Sequence, residues 1–218
     1  MTKIHLEPVS WMEFGAGMAA NIECHKENEV DASWSTWVDM SRPVLWIVSS
    51  MENWAELDGP GLGPCYSIIE EQMGDVIRDI ETQYARYVTD WNTPNDKDPG
   101  VVRLWQFTVD DGSRFRNAVT EITSTLKEAE HEHQGDWYEM LGEGEDDINY
   151  FVVGEFENFA EMDQGRTTAA SALAEAVGEE AASALWAEMF GALADDVQGY
   201  NRVMLRRIPD WSYDANAE

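Results

Sequence analysis

The sequence contains the same short pattern twice. Residues 52–58 read Glu-Asn-Trp-Ala-Glu-Leu-Asp, and residues 157–163 read Glu-Asn-Phe-Ala-Glu-Met-Asp. The two copies lie 105 residues apart, and an apolar run precedes each of them, at 44–48 and at 150–153. A repeat of this length indicates a duplicated domain and not a solenoid of short repeats. The repeat therefore constrains the architecture, although it contains no catalytic motif.

The second half of the chain shows the clearer succession of elements. β-rich apolar runs predict strands, and apolar residues at helical spacing predict helices. The predicted strands are 101–109, 137–141, 148–156 and 200–208, and the predicted helices are 113–132, with Ser113 as N-cap, and 160–197, with a break near Gly178. An acidic hairpin loop at 142–147 joins the second and third strands. The order β-α-β-β-α-β is that of a ferredoxin-like unit.

The first half repeats this order less clearly. The predicted elements are a strand at 3–9, a helix at 10–30, strands at 33–40 and 43–50, a helix at 68–80 and a closing strand at 84–88. Tyr84-Ala85-Arg86 matches Tyr200-Asn201-Arg202, and an Asp-Trp step follows each closing strand. The predicted domains are a first repeat at 1–93, a linker at 94–100 and a second repeat at 101–218.

Each predicted unit carries an Asn-aromatic-Ala step after its third strand, at Asn53 and at Asn158. With this step the chain resembles a fused pair from the dimeric α+β barrel superfamily. That superfamily includes antibiotic-biosynthesis monooxygenases, haem-degrading monooxygenases, stress-responsive barrel proteins and chlorite-dismutase-like haem proteins. The resemblance implies an α+β fold in which two tandem ferredoxin-like units form an intrachain dimeric α+β barrel.

The same resemblance implies a class of function. We expect a small-molecule-binding or cofactor-independent monooxygenase-like barrel protein, with the ligand between a sheet and its helices or inside the barrel. No substrate is indicated, and no cofactor is predicted. A haem-binding barrel is one alternative, and a non-catalytic structural or interaction protein is another.

The charge of the chain excludes some partners. With 14 basic and 43 acidic side chains, the net charge is −29. Nucleic acids and anionic membranes require a basic surface, so neither is an expected partner. A small hydrophobic or anionic molecule remains a possible partner. The assembly is predicted to be either a monomer that forms a pseudo-dimer within one chain or a homo-oligomer. The acidic composition is typical of adaptation to high salt, although an ordinary acidic protein is the alternative.

The cysteines and the amino terminus bear on location. Cys24 and Cys65 have no metal-binding or redox spacing, and we interpret them as two semi-buried thiols, with a disulfide left open. Residues 1–9 contain no signal-peptide core. We therefore favour the cytoplasm, with secretion or a periplasmic location open if a leader was removed.

His5 is the candidate catalytic residue. In the alternation of the first strand it shares a face with Lys3 and Glu7, opposite Ile4 and Leu6. On an enclosed face it could act as an acid, a base or a haem ligand. The alternative is an exposed or hydrogen-bonded strand histidine.

Four strand residues are candidate ligand-binding residues: Trp46, Arg86, Tyr150 and Arg202. The two arginines occupy matching places in the Tyr-x-Arg pattern and could bind a carboxylate, although salt bridges to nearby acidic residues are the alternative. The chain has ten tryptophans. Those on predicted strands, together with Tyr150, could line a flat aromatic cavity or form the helix–sheet core: Trp37, Trp46, Trp105 and Trp137.

No metal site is predicted. His131 and His133 are two residues apart on a predicted helix end and do not share a helix face, so a solvated helix terminus is the favoured interpretation. The acidic run at 143–147 lacks the EF-hand spacing of calcium ligands.

Overall fold

The computed structural model describes residues 1–8, 10–58, 63–94, 97–131, 135–142, 148–164, 167–194 and 199–216. The chain divides into two compact units, and both contain helices and antiparallel strands. Unit 1 contains Met1–Thr82 and Arg206–Glu218, and unit 2 contains Gln83–Leu205. The protein is therefore of the α+β class.

The described residues form the following helices and strands. They are β1 (Thr2–Leu6), α1 (Trp11–Glu27), β2 (Ser33–Asp39), β3 (Val44–Val48), α2 (Tyr66–Met73), β4 (Ile77–Thr82), β5 (Ala85–Tyr87), β6 (Val101–Phe107), α3 (Gly112–Glu128), β7 (Asp136–Met140), β8 (Tyr150–Phe156), α4 (Phe159–Met162), α5 (Ala169–Val177), α6 (Glu179–Phe190), β9 (Tyr200–Arg207) and β10 (Tyr213–Asp214). Short 3-10 turns occupy Trp54–Asp58, Gly74–Val76 and Pro209–Trp211.

The sheet of unit 1 has the order β4-β1-β3-β2, and β10 pairs with the outer side of β2. Alternation on β1 and β3 directs one face toward α1 and α2, where the apolar side chains form a core. Its buried members include Ile4, Leu6, Phe14, Leu45 and Met73. This packing removes apolar surface from water, the main favourable contribution to folding.

The sheet of unit 2 has the order β9-β6-β8-β7-β5. Its core is strongly aromatic, because Phe107, Trp137 and Tyr150 of the strands pack against Phe115 of α3. Trp91 joins this core from the segment after β5 and donates its indole N–H to Thr120 Oγ1 at 2.8 Å. The strands of this sheet form one wall of the cavity described below.

The closing strand predicted at 84–88 was wrong. The predicted helix at 68–80 overlaps β4 (Ile77–Thr82), which pairs with β1 in antiparallel register. β5 instead pairs with β7, with Arg86 opposite Glu139. Pairing along β1 satisfies the backbone of 77–82, so tertiary context overrides the local helical spacing. Arg86 on β5 and Arg202 on β9 consequently do not occupy matching strand positions.

The repeated pattern at 52–58 and 157–163 is a helix start. Asn158 Oδ1 accepts from the backbone N–H of Glu161 at 3.0 Å, and Glu161 Oε2 accepts from the N–H of Glu157 at 2.5 Å. In the first copy, Glu56 Oε1 accepts from the N–H of Glu52 at 2.6 Å. This reciprocal arrangement is a capping box, in which the Asn amide and the Glu carboxylate accept hydrogen bonds from backbone N–H groups at the helix start.

The aromatic residue within this pattern is exposed in both copies. Trp54 is 52% exposed and Phe159 is 40% exposed.

The helix boundaries predicted at Ser113 and Gly178 differ in outcome. The N-cap of α3 is Asp111 and not Ser113, since the Asp111 side chain accepts from Arg114 N. The break at Gly178 is confirmed. This glycine has a φ of 88°, a backbone conformation that glycine adopts readily and that residues with a side chain rarely adopt.

Cys24 and Cys65 form a disulfide, so the expectation of two thiols was wrong. Cys24 lies on α1 and Cys65 directly precedes α2, and the two helices pack side by side, which brings the Cα atoms within 5.8 Å. The bond closes a loop that no local sequence pattern indicates. Within the described residues, no helix has the length and apolar character needed to cross a bilayer.

Candidate functional site

A cavity of about 1150 Å³ lies within unit 2, between the sheet and its helices. Strands β6, β7 and β8 supply one wall, and α5 and α6 supply the other. Its volume is slightly above the range of about 300–1,000 Å³ that is typical of small-molecule sites in proteins. Apolar and aromatic side chains provide most of the surface, and a few polar groups converge on it.

The strand wall of the cavity is aromatic. Trp105 and Phe107 follow one another on the same face of β6, and the rings of Phe107 and Trp137 are stacked with centroids 5.5 Å apart. Gly154 on β8 permits this surface, because a Cβ there would lie 2.8 Å from Cζ3 of Trp105. The six-membered ring of Trp105 therefore occupies space beside β8 that a side chain at position 154 would fill, and Trp105 lines the cavity.

Arg103 is the charged group of this wall. Its guanidinium lies 5.6 Å from the ring centroid of Trp105 and 5.7 Å from that of Phe156, a cation–π arrangement. Across the part of the chain that the structure describes, no carboxylate forms an ion pair with Arg103. Its positive charge is therefore directed at aromatic faces and at the cavity.

Asn92 fixes one corner of the cavity. Its Nδ2 donates to the carbonyl oxygen of Trp137, and its Oδ1 accepts from the backbone N–H of the same residue. Lys127 Nζ donates to the carbonyl oxygen of Asp90 at 2.7 Å and lies at the rim. These bonds join the segment after β5 to β7 and to the end of α3, so this corner is built from three parts of the unit.

Two further residues of the cavity lining carry groups that could exchange a proton or donate a hydrogen bond to a ligand. His131 follows the end of α3 and lines the cavity, and an imidazole can exchange a proton near neutral pH. Trp186 on α6 also lines it, and its indole N–H is buried with no acceptor among the described residues. An unsatisfied buried donor is rare in folded proteins and often marks a functional site. His133 and the run 143–147 lie outside the described residues.

The structure brings two of the predicted site residues together. Arg86 and Arg116 both pair with the carboxylate of Glu139, and the hydroxyl of Tyr150 accepts from Arg116 Nε at 2.7 Å. Burial raises the pKa of Tyr150 above its ordinary value, against the opposing effect of Arg116. The salt-bridge interpretation of Arg86 agrees with this arrangement. The cluster lies beside the aromatic core and not on the cavity surface.

The other predicted residues lie elsewhere. His5 is half-buried on β1 of unit 1, opposite Val44. Trp46, in the same unit, is buried with the Lys3 ammonium 5.1 Å from its ring centroid. Arg202 is exposed on β9 with its guanidinium over the Tyr200 ring. None of the five predicted residues lines the cavity, and their ligand-binding role stays a prediction.

Sequence reasoning found part of this cavity. Trp105 and Trp137, named as candidate cavity residues, both line it. Arg103, Asn92 and Trp186 were missed. An arginine between apolar residues on a strand that begins Val101-Val102 was the available signal, because a charge in a buried strand requires a reason. No group of three metal-ligating side chains occurs in the described part of the chain.

Comparison with known proteins shows a likeness of fold. No protein-family model matches the sequence, and no curated protein does. The crystal structure of a candidate monooxygenase from Lactobacillus acidophilus NCFM aligns with all of this chain and 95% of its own, with a TM-score of 0.56 and 14% identity. That of a candidate monooxygenase from Fusobacterium nucleatum subsp. nucleatum ATCC 25586 aligns with 98% of this chain and 95% of its own, with a TM-score of 0.55 and 7% identity. The chain therefore shares the α+β fold of these two proteins.

Proposed function

We propose that the chain is a monooxygenase-like protein that binds a small planar molecule in the cavity of unit 2. The observation that carries this proposal is the aromatic lining of a cavity of about 1150 Å³, in which the partly buried Trp105 is backed by the buried rings of Phe107 and Trp137. Flat aromatic walls bind planar ligands by stacking, and they exclude water from the bound molecule. The fold shared with two candidate monooxygenases supports the same class.

We further propose that the two units are tandem ferredoxin-like repeats of the dimeric α+β barrel type. Three observations support this. The strand orders β4-β1-β3-β2 and β9-β6-β8-β7 place the fourth, first, third and second strands alike. The capping box follows the third strand in both. Each copy also has the order β-α-β-β-α-β, if α4–α6 are counted as one helical segment.

The proposed reaction needs no resident cofactor. In it, a CH₂ group of an electron-rich substrate (for a phenol, the ring CH that becomes CH₂ in the keto tautomer) reacts with O₂ to give a C=O group and water, and the substrate supplies all four electrons that O₂ accepts. The cavity would hold the substrate flat and dry, while His131 at its wall would accept the proton that leaves the activated carbon. No comparison supports the haem-binding or the non-catalytic alternative.

The test begins with the purified chain. Its absorption spectrum and native mass spectrum show whether a ligand is retained, and titration with 2-naphthol, followed by tryptophan fluorescence, measures binding of a neutral planar probe. We expect saturable binding that Trp105→Ala weakens about tenfold and that the exposed-site control Tyr66→Ala leaves unchanged. With a panel of two- and three-ring phenols, ¹⁸O₂ should label the product. Absence of 2-naphthol binding, or equal binding by the Trp105→Ala variant, would exclude this function.

A further inference from the structure

We infer that the ligand of the cavity is a planar aromatic carboxylate, and that Arg103 is the residue that selects the carboxylate. This inference rests on the proposed function, because it assigns a ligand class to the same cavity. It is carried by the environment of Arg103, which differs from that of the ion-paired and the exposed arginines named below.

Acidic side chains outnumber basic ones by 43 to 14, so an arginine readily finds a carboxylate. Arg42 pairs with Asp39, and Arg114 pairs with Glu188. Glu139 pairs with two further arginines. Those that form no ion pair among the described residues include Arg78 and Arg202, and both are exposed to water. Arg103 is half-buried in a cavity wall and still has no carboxylate partner there.

A guanidinium that has lost part of its hydration without gaining an anion is unfavourable. The two rings that flank Arg103 offset only part of this cost, since a cation–π contact contributes less than a buried ion pair. The arrangement becomes favourable when an anion enters the cavity. The positive charge of Arg103 therefore favours binding of an anionic ligand over a neutral one in this cavity.

The geometry around Arg103 favours a particular anion. Trp105 lies beside the guanidinium on the same strand face, and the absence of a side chain at Gly154 leaves space for the indole next to β8. A ligand ring stacked on Trp105 would place a coplanar carboxylate beside the guanidinium, where two parallel N–H···O bonds can form. A carboxylate attached directly to an aromatic ring has this coplanar shape.

The remaining charges of the cavity agree with an anionic ligand. Lys97 and Lys127 line its rim, so three of the 14 basic side chains of the chain surround one cavity. Glu130, Asp136 and Glu155 also touch it. By strand alternation Asp136 and Glu155 share a face with Tyr138, opposite the face of Trp137, and both carboxylates raise the pKa of Tyr138.

A matched pair of probes tests the inference. 2-Naphthoate and 2-naphthamide share ring and shape and differ in charge, and calorimetry gives the affinity of each for the full chain. In the unmodified protein we expect naphthoate to bind about tenfold or more tightly than naphthamide. Arg103→Met should abolish this preference and retain naphthamide binding, whereas Arg78→Met, an exposed arginine, should leave both affinities unchanged.

The outcomes separate the two proposals. Equal affinity for both probes in the unmodified protein, or a preference retained in Arg103→Met, would overturn the carboxylate inference and leave the proposed function standing. Failure of both probes to bind would overturn the proposed function together with the inference. The comparison in the unmodified protein is decisive even if Arg103→Met does not fold, and Arg103→Lys, which keeps the charge but not the planar fork, should retain only part of the preference.

Discussion

The side-chain amide of Asn92 bonds both backbone polar groups of Trp137. Its Nδ2 donates to the carbonyl oxygen at 2.9 Å, and its Oδ1 accepts from the N–H at 2.6 Å. Asn92 is 3% exposed. The amide thereby replaces a neighbouring strand beyond the end of β5, and it holds the backbone from which the Trp137 ring reaches the cavity.

We predict that Asn92→Ala lowers the free energy of unfolding by about 2–3 kcal/mol, because it leaves the buried N–H of Trp137 without its acceptor. Chemical denaturation measures this change. Asn117→Ala, at an exposed position on α3, should change stability by less than about 0.5 kcal/mol. Equal effects of the two substitutions would show that the Asn92 bonds contribute nothing specific.

Much of the fold can be predicted from the sequence. Alternation on the central strands and helical spacing at Phe115, Val119, Ile122 and Leu126 report burial, and all four of these side chains are buried in the observed core. The capping role of Asn158 also follows from local chemistry. These features depend on neighbours in the chain, so a local pattern contains the information.

The failed predictions concern contacts between distant residues. Val88 N donates to Trp137 O at 3.0 Å, and Ile208 N donates to Thr36 O at 2.8 Å, so these two positions correspond in their hydrogen bonding. Arg86 lies two residues before Val88, and Arg206 lies two residues before Ile208, so Arg206 is the counterpart of Arg86. The Tyr-x-Arg pattern in the sequence had suggested Arg202 instead. Only the strand pairing shows which alignment holds.

The site was harder to predict than the fold, because its defining feature is an arginine that has no carboxylate partner among the described residues. Arg103 differs from other arginines only in what surrounds it, and Gly154 matters only because Trp105 lies against it. Both facts join residues on different strands. The sequence predicts that Trp105 is an aromatic residue on a strand. The cavity beside it forms only when distant strands and helices of unit 2 pack together, which no local pattern shows.

A side chain at Gly154 should close the cavity. A Cβ at this position would lie 2.8 Å from Cζ3 and 3.1 Å from Cη2 of Trp105, so the indole must move off the strand into the open space. We predict that Gly154→Val weakens 2-naphthol binding at least tenfold and costs about 1–3 kcal/mol of stability. Gly112→Ala, where a Cβ meets nothing within 4 Å, is the matched control and should leave binding unchanged. Normal 2-naphthol binding by Gly154→Val would place the ligand elsewhere.

Alkaline pH should destabilise unit 2 through Tyr138. Its ring stacks on Phe151 at 4.9 Å, and burial, followed by the charges of Asp136 and Glu155, raises its pKa well above the ordinary value. The folded state then holds the phenol proton more tightly than the unfolded state. Stability from this group is complete below about pH 10, the unfolded pKa, and is lost progressively above it.

We therefore predict that the melting temperature falls as pH rises above about 10, and that Tyr138→Phe reduces this slope. Melts recorded by circular dichroism between pH 8 and the alkaline limit measure it. Tyr66→Phe, at an exposed position, is the control and should retain the full slope. An unchanged slope in Tyr138→Phe would assign the alkaline effect to other groups.

Reduction of the Cys24–Cys65 disulfide should destabilise unit 1. The bond joins residues 41 apart in sequence, and closing a loop of that length in the unfolded chain contributes about 4 kcal/mol by the chain-entropy estimate. We predict that dithiothreitol lowers the melting temperature, and that the double variant Cys24→Ser, Cys65→Ser melts at the reduced temperature with or without it. Identical melts of oxidised and reduced protein would mean that the disulfide contributes no stability.

High salt should stabilise the protein, because a net charge of −29 repels itself within a compact chain. The Debye length falls from about 10 Å at 0.1 M to about 3 Å at 1 M salt, so the repulsion is largely screened at the higher concentration. We predict a melting temperature that rises steadily between 0.1 M and 2 M KCl. The variant Glu27→Gln, Glu29→Gln, Asp31→Asn removes three exposed charges that lie close in sequence at the end of α1. It should melt higher at low salt and respond less to KCl. A melting temperature that is constant or falls with KCl would mean that surface repulsion does not limit the stability of this fold.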